Sequence, residues 1–349
     1  MERIKPWLEE NRGLRFRAPV NVSVLPPEEF DVLLVDLVEE ERANIAKDEV
    51  MLKAFGFIPG DTDLVETQKK LLAAGVAGFY NDESKELVVE GVELNEAARE
   101  TLMHELLHAL QDQNLDLNRP ELDERKDEVA FGLRAIAEGD AKRMEVFWET
   151  QLSDEQRAEL RANEEEMAPD VSGIPPALLA MLGAPYELGR PLTEEIFERT
   201  GQAGLDEAFR TPPDTSEQVV RDTKFFGREP RIEVPPPPAD GKQVDDGVFG
   251  ELLTILLVSP IVGQSTGDKA AKGWGGDWGI SWLGGEDGNT PCGRVDWKMD
   301  TTTDLDELET ALTTWAARMP QATVERPQPD VVRATSCMPQ SGGGGESRL

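Results

Sequence analysis

Apolar positions in the first third of the chain follow a helical period with one extended interruption. Phe30, Leu33, Leu34, Leu37 and Val38 make a stripe within residues 28–53, with acids filling the other faces, which predicts one amphipathic helix. Residues 20–25 alternate and predict a strand, stopped by Pro26 and Pro27. Residues 64–74 predict a further helix. Residues 75–94 read as a β-hairpin, entered by Gly78, Phe79 and Tyr80, turning at 81–84 and returning over 86–92. From Asn95, a good N-cap, the pattern becomes helical again over 94–113. There Leu102, Met103, Leu106, Leu107 and Leu110 spread around the axis with no Gly or Pro between them, so this helix is expected to be buried.

A polar stretch with Pro120 then predicts a connection, and residues 129–149 predict a second helix on Val129, Leu133, Ile136, Ala137, Met144, Phe147 and Trp148. Residues 152–167 read as an acidic, solvated helix and 175–182 as an apolar segment packing near the candidate functional site. Residues 191–209 read as a helix pair broken at Gly201-Gln202-Ala203-Gly204. Thr211 to Gln218 is a proline-led turn into a helix start. Four consecutive prolines, Pro235 to Pro238, predict an extended linker and a boundary between two parts. Beyond it lie a buried helix over 249–259, a Gly/Trp-rich run at 273–278, strands near Trp282 and around Val295 and Trp297, and a helix over 305–318. The Gly/Trp run is expected to pack, the competing reading being an aromatic ligand platform. No internal repeat is present.

The buried helix carries the chemistry. Residues 104–108 read H-E-L-L-H, an instance of H-E-x-x-H, and contain both histidines of the chain. On a helix i and i+4 share a face, so His104 and His108 can offer two imidazoles to one metal ion. Glu105 can stand beside that ion and take a proton from a bound water. A charged motif in a buried helix is unfavourable unless something pairs with it, and a metal is the simplest partner. The competing reading is a chance motif whose histidines bond backbone or solvent. In the next helix Gly139 should cost about 1 kcal/mol relative to Ala. That is intelligible if another helix approaches there, and Ala135 and Ala141 would permit it. Glu138 then becomes the candidate third ligand, completing the open His, His, Glu set of a catalytic zinc site. Otherwise it is a solvated helix carboxylate.

The run E-T-L-M-H-E-L-L-H-A-L-Q-D-Q at 100–113, followed by A-I-A-E-G-D-A at 135–141, resembles a bacterial group of gluzincin-type, thermolysin-like zinc metallopeptidases. G-F-Y-N-D at 78–82, P-P-D-T-S-E-Q-V at 212–219 and G-W-G-G-D at 273–277 are similar to further segments of that family, so the resemblance spans most of residues 5–337. Relatives tend to carry a His after T-S-E-Q, where this chain reads Val219, Val220, Arg221, Asp222. The resemblance implies an edge strand, here Gly78, Phe79 and Tyr80, that aligns a peptide substrate by β-augmentation. It implies a carboxylate four residues beyond the Glu ligand that orients a histidine. That position is Lys142, so Asp140 is the expected substitute. It also implies a His or Tyr donor for the developing oxyanion. No histidine is left, so Tyr186 is the first candidate and Arg190 the second. The alternative for Tyr186 is a structural tyrosine under a turn.

Composition narrows the partners. Sixty-nine Asp+Glu against 36 Lys+Arg give a formal charge of −33 over 349 residues, which repels nucleic acid and anionic membranes. Such a surface could attract basic peptides, tolerate salt or maintain solubility. No run of about 20 apolar residues is present to span a membrane. The first 16 residues carry no apolar signal core. Cys292 and Cys337 are the only cysteines and are expected to pair, with free buried thiols as the alternative. A bridge would close a loop of 337 − 292 = 45 residues and contribute about 4 kcal/mol. A disulfide and the resemblance together imply an extracytoplasmic protein whose leader is absent from this sequence, with a cytoplasmic one as the alternative.

The expected fold is α+β: a mostly helical zincin-like core with a small antiparallel hairpin sheet over 1–235, a C-terminal α+β subdomain over 236–341 and a flexible tail over 342–349. The expected function is hydrolysis of a peptide bond with one zinc ion per chain, held by His104, His108 and Glu138, and Glu105 as general base. The competing classes are a non-catalytic zinc-binding structural or interaction protein and a hydrolase of a non-peptide amide such as a cell-wall linkage. Cleavage preference, natural substrate and oligomeric state leave no mark in the sequence.

Overall fold

A computed structural model describes residues 3–91, 95–166, 170–286 and 288–339. The expected tail over 342–349 and the first residue of the predicted 94–113 helix lie outside the described residues. The fold is α+β, as its pattern predicts.

The N-terminal elements are α1 (Ile4–Arg12), β1 (Asn21–Leu25), α2 (Pro27–Glu40), α3 (Arg42–Phe55), α4 (Leu64–Gly75), β2 (Gly78–Asn81) and β3 (Glu86–Glu90). The single helix expected over 28–53 is two, α2 and α3, parted at Glu41. Residues 39–42 are all charged, so no apolar side chain carries the buried stripe through the junction. The hairpin forms as its pattern predicts. Gly78 faces Val89 and Asn81 faces Glu86 in antiparallel register. The Asn81 carboxamide accepts from the backbone N–H groups of Glu83 (2.9 Å) and Ser84 (2.7 Å), which shapes the turn. β1 adds to β3 in parallel, giving the order β1-β3-β2 and leaving β2 at an edge.

The central elements are α5 (Glu96–Leu115), α6 (Pro120–Asp123), α7 (Val129–Glu149), α8 (Asp154–Glu166), α9 (Pro176–Arg210), α10 (Ser216–Val220) and α11 (Asp222–Gly227). Asn95 caps α5 by accepting from the Ala98 N–H at 2.8 Å. Over α9 two helices meet at Gly201, whose φ of 67° no helix accommodates, so the pair expected over 191–209 forms with its break at that glycine; its first helix starts earlier, at Pro176, so the segment around Tyr186 is helix rather than turn. Pro185 and Pro191 lie inside it. Each proline removes a backbone hydrogen bond, but α9 packs along α7 and is held by tertiary contact.

The C-terminal elements are β4 (Lys242–Gly247), α12 (Gly250–Val262), α13 (Gln264–Ala271), β5 (Trp274–Gly284), β6 (Thr290–Met299), α14 (Thr302–Ala316), β7 (Thr323–Gln328) and β8 (Val331–Cys337). The strands form an antiparallel sheet of order β4-β5-β6-β8-β7. Cys292 and Cys337 sit opposite each other on β6 and β8 and form a disulfide. The Gly/Trp run packs. Trp274 is fully buried and its Nε1 donates to Asp277 (2.7 Å), which also accepts from the N–H groups of Phe249 (2.7 Å) and Gly250 (2.9 Å) at the start of α12.

The boundary expected at residue 235 does not divide the core. Ile45, Leu52 and Phe55 of α3 share one buried cluster with Phe249, Trp274, Trp297 and Trp315 from beyond it. Phe55 stacks on Trp315 at 5.5 Å. The proline-rich stretch is extended but fastened to the sheet, with the Ile232 N–H donating to the Gly275 carbonyl at 2.6 Å. A large apolar face on the sheet finds its cover in a helix from the other end of the chain, which linker composition cannot reveal.

Several acids are buried where α7, α10 and α12 meet. Glu128 accepts from the Ser216 N–H at 2.9 Å. Arg221 holds Glu251 (2.8 Å) and Asp268 (2.7 Å). The Lys224 ammonium sits among Glu217 (3.1 Å), Asp300 (2.6 Å) and Glu229. Burial pushes Glu128 and Glu251 up to about 7 and Asp277 up to about 6. A carboxyl raised on folding keeps its proton in the native state where the unfolded chain has released it. Its stabilisation is therefore present at low pH and lost as pH rises through the folded value. Thermal melts of the chelator-treated protein should show Tm falling from about pH 5 to about pH 8. The slope should flatten in Glu128→Gln, and a rising Tm across that window would contradict these assignments.

Candidate metal centre

Helix α5 is buried because its apolar residues spread around the axis. Leu102, Met103, Leu106, Leu107 and Leu110 join one cluster with Leu87 of β3 and Met144 of α7. This takes the polar motif inside with them. His104, Glu105 and His108 are 8%, 7% and 9% exposed, too little for water to satisfy three ionisable groups. A partner shared by both histidines comes from α7. The Nε2 atoms of His104 and His108 lie 2.9 Å apart, and Glu138 Oε2 is 3.2 Å from each. Two imidazole nitrogens and a carboxylate oxygen thus converge on one point. Donors about 2.0–2.2 Å from a tetrahedral ion stand about 3.3 Å apart, so this triangle fits a zinc-sized ion.

Glycines set the approach that places Glu138. A β-carbon on Gly139 would run into the Gly189 backbone of α9, and one on Gly189 into the Ala135 carbonyl of α7. Gly132 meets the Pro213 carbonyl in the same way. The close helix anticipated from Gly139 is therefore α9. That crossing also delivers Tyr186, three residues before Gly189. Its ring stacks over His104 with centroids 6.4 Å apart, and its phenol feels the Glu138 charge. Burial, then the Glu138 charge, pushes the phenol up, so it stays a donor. Arg190 lies at the surface, paired with Glu194 at 3.2 Å, and is not brought to the centre.

The outer nitrogens of both histidines are held. His104 Nδ1 meets Glu145 Oε1 at 2.5 Å, and Lys142 holds the other Glu145 oxygen at 2.6 Å. His108 Nδ1 donates to Gln111 Oε1 at 2.9 Å. The Gln111 amide is fixed in turn by Asp140 (3.1 Å) and the Ala137 carbonyl (3.3 Å). With Nδ1 of each ring held from outside, Nε2 is the nitrogen of each histidine that faces the convergence point. Asp140, expected beside a histidine, reaches His108 only through Gln111. It is fully buried against Arg12 of α1 (2.6 Å) and bonded to Arg143 (2.8 Å). Glu145 and Gln111 were not anticipated. Glu145 lies two helical turns after Glu138 on the same face, and Gln111 one turn after His108, so helical spacing could have found both.

Burial opposes charge on His104, but hydrogen bonds to Glu138 and Glu145 outweigh it and lift the ring to about 10. Burial also opposes ionisation of Glu138, and the two histidines overcome it and pull its carboxyl down. For Glu105 burial dominates and pushes the carboxyl up.

The hairpin meets this centre with one face. Gly78 lies against Thr101 and Glu105 of α5. The Tyr80 hydroxyl donates to Asp112 at 2.7 Å. Phe79 points the other way, as strand alternation requires, and packs against Phe30 at 5.9 Å. A cavity of about 270 Å³ opens beside the donors, lined by Tyr80, His108, Leu133, Arg134 and Glu138 among others.

No protein-family model, no curated protein and no solved structure matches the chain.

Removing an outer partner of a ligating histidine typically weakens metal affinity about 10- to 100-fold. Gln111→Ala and Glu145→Ala should each do so in chelator competition. Gly139→Ala must part α7 from α9 and should lower stability by about 1–3 kcal/mol in chemical denaturation. A neutral Gly139→Ala would refute the backbone contact.

Proposed function

We propose that this chain is a zinc-dependent peptidase. The observation that carries the reading is the convergence of His104 Nε2, His108 Nε2 and Glu138 Oε2 within 3.2 Å of one another, beside a buried Glu105. The resemblance of residues 100–113 and 135–141 to thermolysin-like peptidases supports it. A zinc ion held by those three residues would polarise a water and bring its pKa toward about 7.

Glu105 takes the proton of the attacking water and returns it to the leaving amine. Its raised carboxyl suits that second step, since it holds the proton until the amine departs. Tyr186 carries a hydroxyl that remains protonated and is placed over the donors, so it can give a hydrogen bond to the carbonyl oxygen as charge develops there. The edge of β2 is free to pair with an extended peptide, with Gly78 and Tyr80 nearest Glu105. The disulfide supports an oxidising, extracytoplasmic setting. Among the described residues no helix is long and apolar enough to cross a membrane.

Glu105→Gln is the decisive variant. It should retain about one zinc per chain and lose cleavage of a fluorogenic peptide library by about 10²- to 10⁴-fold. Zinc bound by the native protein, with no cleavage of peptides or cell-wall fragments, would favour a structural metal site. Cleavage of cell-wall fragments alone would move the reaction to a non-peptide amide.

A further inference from the structure

Arg12, the last residue of α1, is among the largest fully buried side chains. Burying a guanidinium is costly even when it is paired, and an apolar side chain could anchor α1 without that cost. Ile4 and Leu8 already do so, in one cluster with Leu102 and Met103 of α5. The bonds of Arg12 point to a different use. Its Nε donates to Asp140 Oδ2 at 2.6 Å and its Nη1 to Asp206 Oδ1 at 2.7 Å.

Asp140 Oδ2 is also the oxygen that meets the Gln111 amide, at 3.1 Å. The two ends of an amide side chain have nearly the same shape, so its neighbours decide which end points where. On its outer side Gln111 meets two oxygens, Asp140 Oδ2 and the Ala137 carbonyl at 3.3 Å. A carbonyl only accepts. The Asp140 carboxylate also only accepts while guanidinium hydrogens hold both its oxygens, Oδ2 by Arg12 and Oδ1 by Arg143 at 2.8 Å. The NH2 end of Gln111 must therefore face outward, which turns Oε1 to His108 Nδ1 at 2.9 Å. An oxygen there takes a hydrogen from Nδ1 and leaves the lone pair on Nε2, the nitrogen that meets His104 and Glu138. The reversed amide would set its NH2 against Nδ1 and put the hydrogen on Nε2, where no metal ion could then bind. His104 needs no such relay, because the Glu145 carboxylate meets its Nδ1 directly.

We propose that Arg12 is a positioning residue of the candidate metal centre: by pinning Asp140 Oδ2 it fixes the direction of the Gln111 amide, and through that amide the nitrogen His108 offers to an ion. This rests on the reading of His108 as a metal ligand and not on the reaction that follows. Arg143 lies on α7 beside Asp140, so Arg12 is the member of the relay that brings in a distant segment, and the centre is complete only with α1 seated.

Arg12→Met, Asp140→Asn and Leu8→Ala, each loaded with cobalt(II), test this. Asp140→Asn keeps the side-chain shape but can turn either end of an amide to Gln111, so it serves should Arg12→Met not fold. Leu8 is as buried as Arg12 and packs α1 through apolar contact, so its variant loosens the same helix and leaves the relay intact. In chelator competition the two polar variants should bind cobalt about tenfold more weakly, and Leu8→Ala as the native protein does. Proton NMR gives a second readout. Imidazole N–H hydrogens near cobalt(II) are shifted far from all others, and the chain has two histidines, so the native protein should show two such exchangeable signals. The one from His108 Nδ1 should be lost to exchange with water in the polar variants and kept in Leu8→Ala. Native affinity or both signals in the polar variants overturns the role of Arg12. Equal losses in Leu8→Ala overturn it too, by reducing it to packing. A native protein that binds no cobalt overturns the metal centre and this role together. Peptide cleavage enters none of these readouts, so failure of the hydrolytic reading is told apart from failure of this one.

Discussion

Two helices reach backbone contact only where neither carries a side chain, and the candidate metal centre depends on one such crossing. Gly139 of α7 and Gly189 of α9 leave no room for a β-carbon. That contact fixes Glu138, one residue before Gly139, and Tyr186, one turn before Gly189, relative to each other. A wider separation would leave Glu138 short of the histidines and Tyr186 short of Glu138. Glycine weakens a helix in isolation, and α7 carries both Gly132 and Gly139. Both are used for close approach.

The second constraint is electrostatic. A dry helix carries two histidines and a glutamate, and each ionisable group must find a partner within hydrogen-bonding reach. The answer is a network that runs outward from the centre in two directions. Glu145 and Lys142 lie on one side, and Gln111, Asp140 and Arg12 on the other. Arg12 continues to Asp206 at 2.7 Å, so α1, α5, α7 and α9 share one chain of bonds. Histidine orientation thus becomes a property of four helices rather than of the motif.

The sequence displayed the centre better than its support. H-E-x-x-H and the small residues around Glu138 were legible because helical spacing is a local rule. Asp140 was read as bonding a histidine directly because acids near Glu138 were weighed by analogy, whereas the helical face favours Glu145. The break at Glu41 and the continuity of α9 through Pro185 and Pro191 are tertiary outcomes that local propensity reads the other way. The composition around residue 235 is likewise silent about what packs across it. Four prolines describe a stiff stretch, not whether the surfaces on either side of it share a core. The Cys292–Cys337 pair was legible from the count alone, and its place on adjacent strands was not.

Lys224 has a consequence for how this molecule answers its surroundings. Glu217, Glu229 and Asp300 form a carboxylate nest of the kind that could hold a metal ion, and the lysine ammonium stands in it. A tethered counterion has an effective local concentration that dilution cannot lower. Neither dialysis nor competition from other ions can empty that nest while the chain is folded. Among the described residues the histidine cluster holds no such ammonium, so of these two clusters it is the one whose donors stand open to an ion from outside.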